Sequence, residues 1–313
     1  MSAPTEVHFV RHGESVSNAE GRWQGQGDSP LNAKGRSQAM ALAERLGPFT
    51  PDVVIASDLS RARDTGRAFA GASLRTDPAW REIDVGRWEG LLHGEVRDRF
   101  PADVAALEGS MSVKVGGGES WADLGRRARL ALHALRSELD PGQRARVFTH
   151  GGVVAALVGT LFGVARRRPR RLANVANTAL TSVRFDGGRA TLLRFNDTTH
   201  LDERPAWGEE RRRDGAALVA LGEAGAADVT SYDHGQRPLP EGDLDAAVAW
   251  VAQRHGGERI ALRAPREAHA RYARALLSPS ARVEASDGVT HVVASDRGAT
   301  LADFNAGAAL GDV

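Results

Sequence analysis

The sequence predicts an α/β protein: a three-layer α/β/α sandwich with a mostly parallel sheet, plus a smaller C-terminal α/β unit. Over the first 200 residues, short apolar runs alternate with stretches of helical period, which is typical of strands and helices that follow one another in turn. The length of 313 residues corresponds to about two domains. Hydrophobic residues make up 42% and charged residues 26%, as in ordinary globular chains.

The first predicted strand, at 7–10, precedes a predicted helix at 33–46 with apolar residues recurring on one face. The alternation then continues with a strand at 53–56, helices at 60–70 and 121–139, a strand at 146–149, a helix at 152–163, and strands at 181–185 and 190–195. Asp186-Gly187-Gly188 separates the last two strands and predicts a hairpin.

Residues 202–214 are rich in charge and contain a proline and a glycine, which favours a linker. The predicted domains are therefore a catalytic domain at 1–201 and a C-terminal α/β domain at 215–313, here called the tail. Its predicted elements are a helix at 244–253, a strand at 259–262, a helix at 266–277, and strands near 290–293 and 299–301.

Charge balance and the absence of cysteine exclude several classes of function. Forty-one basic and 40 acidic residues leave a net charge of +1, so there is no general basic field for nucleic acid, and the arginine-rich run at 166–171 is interpreted as an exposed loop. The chain has no disulfides, thiolate nucleophiles or cysteine-ligated zinc. The longest nearly apolar run, 151–164, is short for a membrane span. We expect a cytoplasmic protein without membrane partners, its oligomeric state open, homodimer included.

Four motifs carry the residues suited to chemistry, in the order RHGE (11–14), SDLSRARDT (57–65), REIDVGRWEG (81–90) and THGG (149–152). Ligands of open α/β sheets bind beyond the carboxyl ends of strands, and the first, second and fourth motifs each follow a predicted strand. Taken singly, each motif also fits an exposed arginine, a surface carboxylate or a core histidine. Their combination favours one functional site.

Together with Asn18, RWQGQGDSPLNAKGRSQA (22–39) and GGES (117–120), these motifs resemble those of the histidine phosphatase superfamily, which includes cofactor-dependent phosphoglycerate mutases. The resemblance covers about residues 5–200. It implies that His12 is the nucleophile that accepts the phosphoryl group and that Glu82 is the proton donor to the leaving group. It also implies that the phosphoryl oxygens and substrate are bound by Arg11, Arg61, His150, Asn18, Gln24, Gly25 and Gly151.

Elementary chemistry supports these implied roles. Phosphoryl transfer depends mostly on positioning and charge stabilisation, and guanidinium groups match phosphate geometry bidentately. Neighbouring cations keep His12 neutral, as a nucleophile requires, while Glu82 is subject to opposing effects from these cations and from the bound phosphate. No acidic or histidine cluster has metal-ligand spacing, so we expect neither a metal nor another cofactor.

The pattern E-x-x-x-G-x-W-E-G at 82–90 resembles the phosphatase branch, and only 68 positions separate Glu82 from His150, leaving little room for the insertion of the mutases. We expect a phosphomonoesterase acting on a small phosphorylated metabolite of the sugar phosphate or phosphoglycerate type. Phosphoglycerate mutase-type transfer and a non-catalytic phosphate-binding module are the alternatives. Substrate selectivity is expected in 91–118, where Arg97, Arg99 and Lys114 are either contacts for a second anionic group or solvated side chains.

The tail contains two further signals. Arg254-His255-Gly256-Gly257 repeats the RHG of the first motif but follows a predicted helix, so it is interpreted as a helix end. Residues 181–201 and 290–310 agree at 8 of 21 positions without gaps. In that register Ala264 falls near the position of His150, so the hypothesis is a degenerate half-copy without catalytic residues. The alternative is chance similarity in a chain rich in alanine and glycine.

Overall fold

The computed structural model describes residues 2–47, 49–70, 74–164, 172–201, 216–222, 234–238, 251–254, 259–263, 266–278, 280–284, 289–295 and 298–306. The chain divides into two compact units, Met1–Thr160 and Leu161–Val313. The predicted catalytic domain, 1–201, extends across this division, and the predicted linker lies outside the described residues.

The first unit alternates strands and helices, as the apolar pattern predicts. Its elements are β1 (Thr5–Arg11), α1 (Val16–Ala19), α2 (Ala33–Leu46), β2 (Val53–Ala56), α3 (Ser60–Ala70), β3 (Arg75–Thr76), α4 (His93–Arg99), α5 (Pro101–Gly109), α6 (Trp121–Ser137), β4 (Arg144–Thr149) and α7 (Gly151–Leu161). The strands lie in the order β3-β2-β4-β1, and every adjacent pair is parallel. The short elements β3, α4 and α5 are absent from the sequence prediction.

The pairing of β1 with β4 positions the candidate site. Both strands are buried along nearly their whole length, which matches their continuous apolar runs. The parallel register ends with Arg11 opposite Thr149, and the amide of His12 donates to the carbonyl of Thr149 over 2.9 Å. His12 directly follows β1 and His150 directly follows β4. The two histidines therefore lie side by side at the carboxyl ends of these strands.

The second unit is mixed. It contains β5 (Leu180–Asp186), β6 (Arg189–Asp197), β7 (Ala217–Gly222), β8 (His234–Pro238), β9 (Arg259–Arg263), α8 (Arg266–Leu277), β10 (Val289–Ser295) and β11 (Gly298–Ala306). Its strands lie in the order β5-β6-β11-β10-β7-β9-β8, and only β7–β9 and β8–β9 are parallel. The sheet is thus mostly parallel in the first unit and parallel only in part in the second, where hairpins enforce antiparallel pairing.

The tail has more strands than the sequence predicts. β7 and β8 were not predicted: β7 is a short apolar run, and β8 has the polar sequence HGQRP without apolar alternation. Of the predicted helix at 244–253, residues 251–253 are described and are helical. Ala264 and the glycines of the RHGG copy lie outside the described residues. No helix in the described ranges is long and apolar enough to cross a bilayer.

Helix α6 begins with a complete capping box. The Ser120 hydroxyl accepts from the amide of Asp123 over 3.1 Å, and the Asp123 carboxylate accepts from the amide of Ser120 over 3.3 Å. These reciprocal bonds satisfy two helix-start amides that have no partner within the helix. The apolar face of the helix, Leu124, Leu132 and Leu135, is buried, so the cap fixes where this packed face begins.

Replacing the capping hydroxyl tests this account. We expect Ser120→Ala to lower the free energy of unfolding by about 1 kcal/mol, because the buried hydroxyl no longer accepts from the helix start. Urea denaturation would measure the difference. Ser137→Ala is the matched control, because Ser137 is exposed at the other end of the same helix. Equal losses in both variants would contradict the capping role.

Candidate active site

His12 lies directly after β1 and is 3% exposed. Its Nδ1 is 2.7 Å from the carbonyl of Gly13. A carbonyl oxygen only accepts, so Nδ1 carries the proton and the lone pair of the neutral ring is on Nε2. Burial lowers the pKa of His12 well below its usual range, and the charges of Arg61 and Arg11 lower it further. The ring is therefore neutral, in the Nδ1–H tautomer, at neutral pH.

The backbone beneath His12 is held by two glycines. A Cβ on Gly13 would lie 2.4 Å from the carbonyl oxygen of Gly35 in α2, and a Cβ on Gly35 would lie 2.0 Å from the carbonyl oxygen of Glu14. Real Cβ atoms do not approach backbone this closely, so both positions require glycine. The amide of Gly13 also donates to the Thr65 hydroxyl over 3.0 Å. Helices α2 and α3 thus both fix the loop that carries His12.

His150 follows β4 and is fully buried. Its ring centroid is 5.2 Å from that of His12, in an edge-to-face arrangement. Its Nε2 is 2.9 Å from the Ser57 hydroxyl. Burial lowers the pKa of His150 well below its usual range, and Arg61, His12 and Arg11 add to the effect. Two neutral imidazoles therefore lie side by side within a cationic group of residues.

Arg61 is fully buried at the start of α3. Its guanidinium donates to the carbonyl of Gly27 over 2.8 Å and to the carbonyl of Gly25 over 2.7 Å. Burial lowers the pKa of Arg61 to about 10, so the side chain stays charged at neutral pH. Its Nε is buried and has no hydrogen-bond acceptor among the described residues. A fixed cation with a donor still to be satisfied suits an anionic ligand.

Glu89 holds the glycine loop that receives Arg61. Its carboxylate accepts from the amide of Gly25, over 3.1 and 3.2 Å to its two oxygens, and from the amide of Gly27 over 3.1 Å. A Cβ on Gly27 would lie 2.6 Å from Glu89 Oε1, so this close approach requires glycine. The role of Glu89 was not predicted from the sequence, although Glu89 lies in the REIDVGRWEG motif.

Arg11 is connected to the helix that follows it. Its guanidinium donates to the side-chain oxygen of Asn18 over 3.3 Å, and the Asn18 amide donates to Gln24 Oε1 over 3.4 Å. The hydroxyl of Ser15 donates to the same Gln24 oxygen over 2.8 Å. The Gln24 Nε2 is buried without an acceptor in the described part of the chain. Asn18 and Gln24, both expected at the site, are thus joined to Arg11.

Glu82 is fixed by two backbone amides. Its carboxylate accepts from Ile83 over 2.8 Å and from Gly152, in the first turn of α7, over 2.9 Å. A Cβ on Gly152 would lie 2.1 Å from Glu82 Oε1, so only glycine permits this approach. The expected binding residue Gly151 begins α7 next to His150. Gly152 belongs to the THGG motif, and the steric requirement for glycine at this position appears only in the structure.

Arg127, on α6, holds the backbone segment that ends at Glu82. Its guanidinium donates to the carbonyls of Ala79, Arg81 and Glu82 over 3.0, 2.8 and 3.1 Å. It also forms a 2.7 Å ion pair with Glu119. No periodic pattern or motif indicates the role of Arg127, because its partners are backbone carbonyls distant in sequence.

The charges show which predicted residues lie together. Arg11, Arg61 and His12 all act electrostatically on His150, and Glu82 acts on both arginines, opposing the fall that burial causes in their pKa values. Within the described ranges, no group of three or more His, Asp or Glu side chains is arranged to hold a metal ion. The arrangement presents two cations, two neutral imidazoles and one carboxylate, a set suited to a phosphoryl group.

A comparison with family models decides the affiliation. Residues 7–198 match the model of the histidine phosphatase superfamily (branch 1), which is more than half of the chain. This chain belongs to the histidine phosphatase superfamily. The matched range contains all of the candidate site residues described above.

This chain is similar to proteins that are named as mutases and to proteins that are named as phosphatases. It is 34% identical over 216 residues to the probable phosphoglycerate mutase GpmB of Yersinia enterocolitica, which covers 66% of this chain and 99% of the relative. Among solved structures, a mycobacterial glucosyl-3-phosphoglycerate phosphatase in complex with VO3 is similar, with a TM-score of 0.54, 32% identity, and coverage of 60% of this chain and 96% of that one. The structure of Bacillus stearothermophilus YhfR is also similar, with a TM-score of 0.55 and 30% identity. The match covers 60% of this chain and 95% of that one.

The electrostatic account of the two histidines can be tested by NMR. We expect the His12 and His150 rings to stay neutral through pH 6, with His12 in the Nδ1–H tautomer, because burial and the arginine charges oppose protonation. Arg61→Ala should raise both pKa values. Arg63→Ala, on the same helix but partly exposed, is the control. Histidine ¹⁵N chemical shifts would report these states.

The same pKa shifts set the sign of a pH effect on stability. The unfolded chain binds protons at these histidines below about pH 6.5, while the folded chain does not. Their contribution to stability is therefore full above that pH and decreases as the pH falls below it. An imidazolium signal from His12 at pH 6.5 in the folded protein would contradict the account.

Proposed function

We propose that this protein is a metal-independent phosphomonoesterase that acts through a phosphohistidine at His12. The observation that carries the proposal is the hydrogen bond from His12 Nδ1 to the Gly13 carbonyl, which keeps the lone pair on Nε2 in a site that also contains Arg11 and Arg61. A neutral imidazole beside two cations is an activated nucleophile for an anionic phosphate ester. The superfamily membership supports this assignment.

In the first step, His12 Nε2 attacks phosphorus and the ester P–O bond breaks. The bond electrons pass to the leaving oxygen, which takes a proton from the Glu82 carboxyl group. Arg11 and Arg61 stabilise the charge that is spread over the phosphoryl oxygens, and the buried Nε of Arg61 supplies a donor for one of them. Neutral His150, 5.2 Å from His12 between ring centroids, lies beside the same group.

In the second step, water attacks phosphorus and gives a proton to the Glu82 carboxylate. The N–P bond breaks, its electron pair returns to His12 Nε2, and inorganic phosphate leaves. Glu82 is thus acid in one step and base in the other. Its two backbone donors, Ile83 and Gly152, hold the carboxylate in place through both steps.

The substrate class we propose is a small phosphorylated metabolite of the sugar phosphate or phosphoglycerate type. The similar solved structure named glucosyl-3-phosphoglycerate phosphatase supports it. Residues 91–118, which include α4 and α5, are proposed to determine selectivity. In this segment the Arg99 guanidinium lies 5.4 Å from the Phe100 ring centroid, which orients it.

Phosphoglycerate mutase-type transfer is the second candidate, favoured by the names of the relatives at 33–34% identity. The two activities differ in the acceptor of the phosphoryl group, which is water for a phosphatase and a phosphoglycerate hydroxyl for a mutase. Incubation with 3-phosphoglycerate and a bisphosphate primer separates them: glycerate and inorganic phosphate indicate the phosphatase, and 2-phosphoglycerate indicates the mutase. The absence of turnover across a panel of phosphorylated sugars, glycerates and nucleotides would favour a non-catalytic binding module.

The nucleophile is tested by hydrolysis of p-nitrophenyl phosphate in the presence of EDTA. We expect His12→Ala to lower kcat by a factor on the order of 10⁴ or more, because the proposed nucleophile is removed. His133→Ala, an exposed histidine on α6, should leave activity unchanged. Quenching with alkaline detergent after brief incubation with ³²P-labelled substrate should trap a phosphoprotein that is stable to alkali and labile to acid in the wild type and not in His12→Ala. A fully active His12→Ala variant would overturn the mechanism.

The proton donor is tested by changing the leaving group. We expect Glu82→Gln to lower kcat/KM, which reports the first step alone, by about 10²–10⁴-fold on alkyl phosphates and far less on p-nitrophenyl phosphate, whose leaving group needs no proton. Gly152→Ala should have the same leaving-group dependence, because the new Cβ displaces the Glu82 carboxylate. Gly188→Ala, where a Cβ meets nothing within 4 Å and which lies outside 91–118, is the matched control. Equal losses on both substrates would contradict the role of Glu82.

A further inference from the structure

The tail hairpin repeats the register of the catalytic-domain hairpin. Positions 181 and 290 are aligned in sequence, and all six residue pairs of β10–β11 correspond to those of β5–β6 at this separation of 109 positions. Both hairpins also have two register shifts at equivalent places. The corresponding pairs are Leu180–Asp197 and Val289–Ala306, Ser182–Arg194 and His291–Asp303, Val183–Leu192 and Val292–Leu301, Arg184–Thr191 and Val293–Thr300, Phe185–Ala190 and Ala294–Ala299, and Asp186–Arg189 and Ser295–Gly298.

The parallel strands repeat as well. In the first unit, β4 lies between β1 and β2 and is parallel to both. In the tail, β9 lies between β7 and β8 and is parallel to both. Each trio appears in the same chain order, with the middle strand last, followed by a helix (α7 or α8) and then the hairpin. The repeat therefore includes the parallel strands as well as the half that the sequence similarity indicates.

The two hairpins meet through equivalent residues. β6 and β11 pair in antiparallel fashion with Phe195 opposite Phe304, which are equivalent positions, and both are fully buried. An interface in which a residue faces its own equivalent is isologous, the kind formed by a two-fold axis. Here the axis would pass between the two phenylalanines.

A second set of contacts has the same symmetry. The amide of Ala173, before β5, donates to the carbonyl of Leu301 over 2.9 Å, and the amide of Glu284, before β10, donates to the carbonyl of Leu192 over 3.1 Å. Leu192 and Leu301 are equivalent in the hairpin alignment. The parallel bridges Leu172–Leu301 and Leu192–Val283 correspond in the same way. In these segments before the hairpins the corresponding residues are 111 positions apart, two more than in the hairpins. Each copy thus places its pre-hairpin segment on the last strand of the other.

We propose that the tail is a second, catalytically empty copy of the fold, and that it fills within one chain the place of the second subunit of a two-fold symmetric dimer. The partner that pairs with β6 through β11 is therefore another copy of the same fold, supplied by the chain itself. Without β11, this edge of β6 would present unpaired amides and carbonyls, and such an edge can pair with strands of other chains.

The second copy has diverged at the position that corresponds to Arg11 of the active site. Arg11 pairs with Thr149 at the end of the β1–β4 ladder, and at the end of the β7–β9 ladder Gly222 takes the place of Arg11 opposite Arg263. A phosphate-binding arginine at that position has been replaced by glycine. The contacts of the second copy with β6 persist while its phosphate chemistry does not, which is what a retained interface requires.

Engineered disulfides can test the proposal, because the chain has no cysteine of its own. Directly opposed antiparallel residues have Cα atoms about 4.5–5.5 Å apart, within the range that a disulfide spans. We expect the variant with both Phe195→Cys and Phe304→Cys to cross-link within one chain on mild oxidation. The Phe195→Cys variant alone should stay monomeric, with one free thiol that reacts after denaturation, because Phe304 of the same chain lies opposite. Non-reducing electrophoresis and thiol titration would distinguish these outcomes.

The unmodified chain supplies a measurement that does not depend on the variants folding. Light scattering should give the mass of one chain, 33.3 kDa. Residue-resolved hydrogen exchange should show the amides of Ala173 and Glu284 at least about 100-fold slower than in an unstructured peptide. Covalent two-chain dimers of Phe195→Cys, a two-chain mass, or unprotected amides at both positions would overturn the proposal. None of these readouts depends on enzymatic activity.

Discussion

Burial of the Arg61 guanidinium is the constraint on which the site depends. A charge taken out of water is stable only when its donors are satisfied and counter-charges lie near. The carbonyls of Gly25 and Gly27 accept from it, and Glu89 holds both glycine amides in turn. The loop between α1 and α2 is therefore shaped around a cation from α3. The cation is then available, without reorganisation, to an anionic ligand.

The same burial determines the state of the histidines. Protonating His12 or His150 would add a charge beside two arginines in a region with little solvent, so both rings stay neutral. Neutrality alone leaves the tautomer undetermined. The carbonyl of Gly13 selects it for His12, because an oxygen acceptor requires the proton on Nδ1. Electrostatics and one backbone group together thus prepare Nε2 to attack.

Much of the first unit was predictable because its strands and helices follow simple apolar periods. The bounds of α2, β2 and α3 agree with the sequence prediction, and family membership is confirmed by the match over 7–198. The supporting residues were not predictable in the same way. Arg127 binds carbonyls of a segment more than 40 positions away, and Gly152 is required only because a carboxylate from another loop approaches it. Such contacts depend on tertiary structure and leave no local pattern.

The close packing of Gly13 against Gly35 has a mechanical consequence. With no side chain between the two backbones, nothing compressible separates α2 from the loop that carries His12. A displacement of the helix must therefore be transmitted to that loop almost undiminished. Helix α2 contributes no group to the proposed chemistry. Its close backbone contact with the loop nevertheless sets the position of His12.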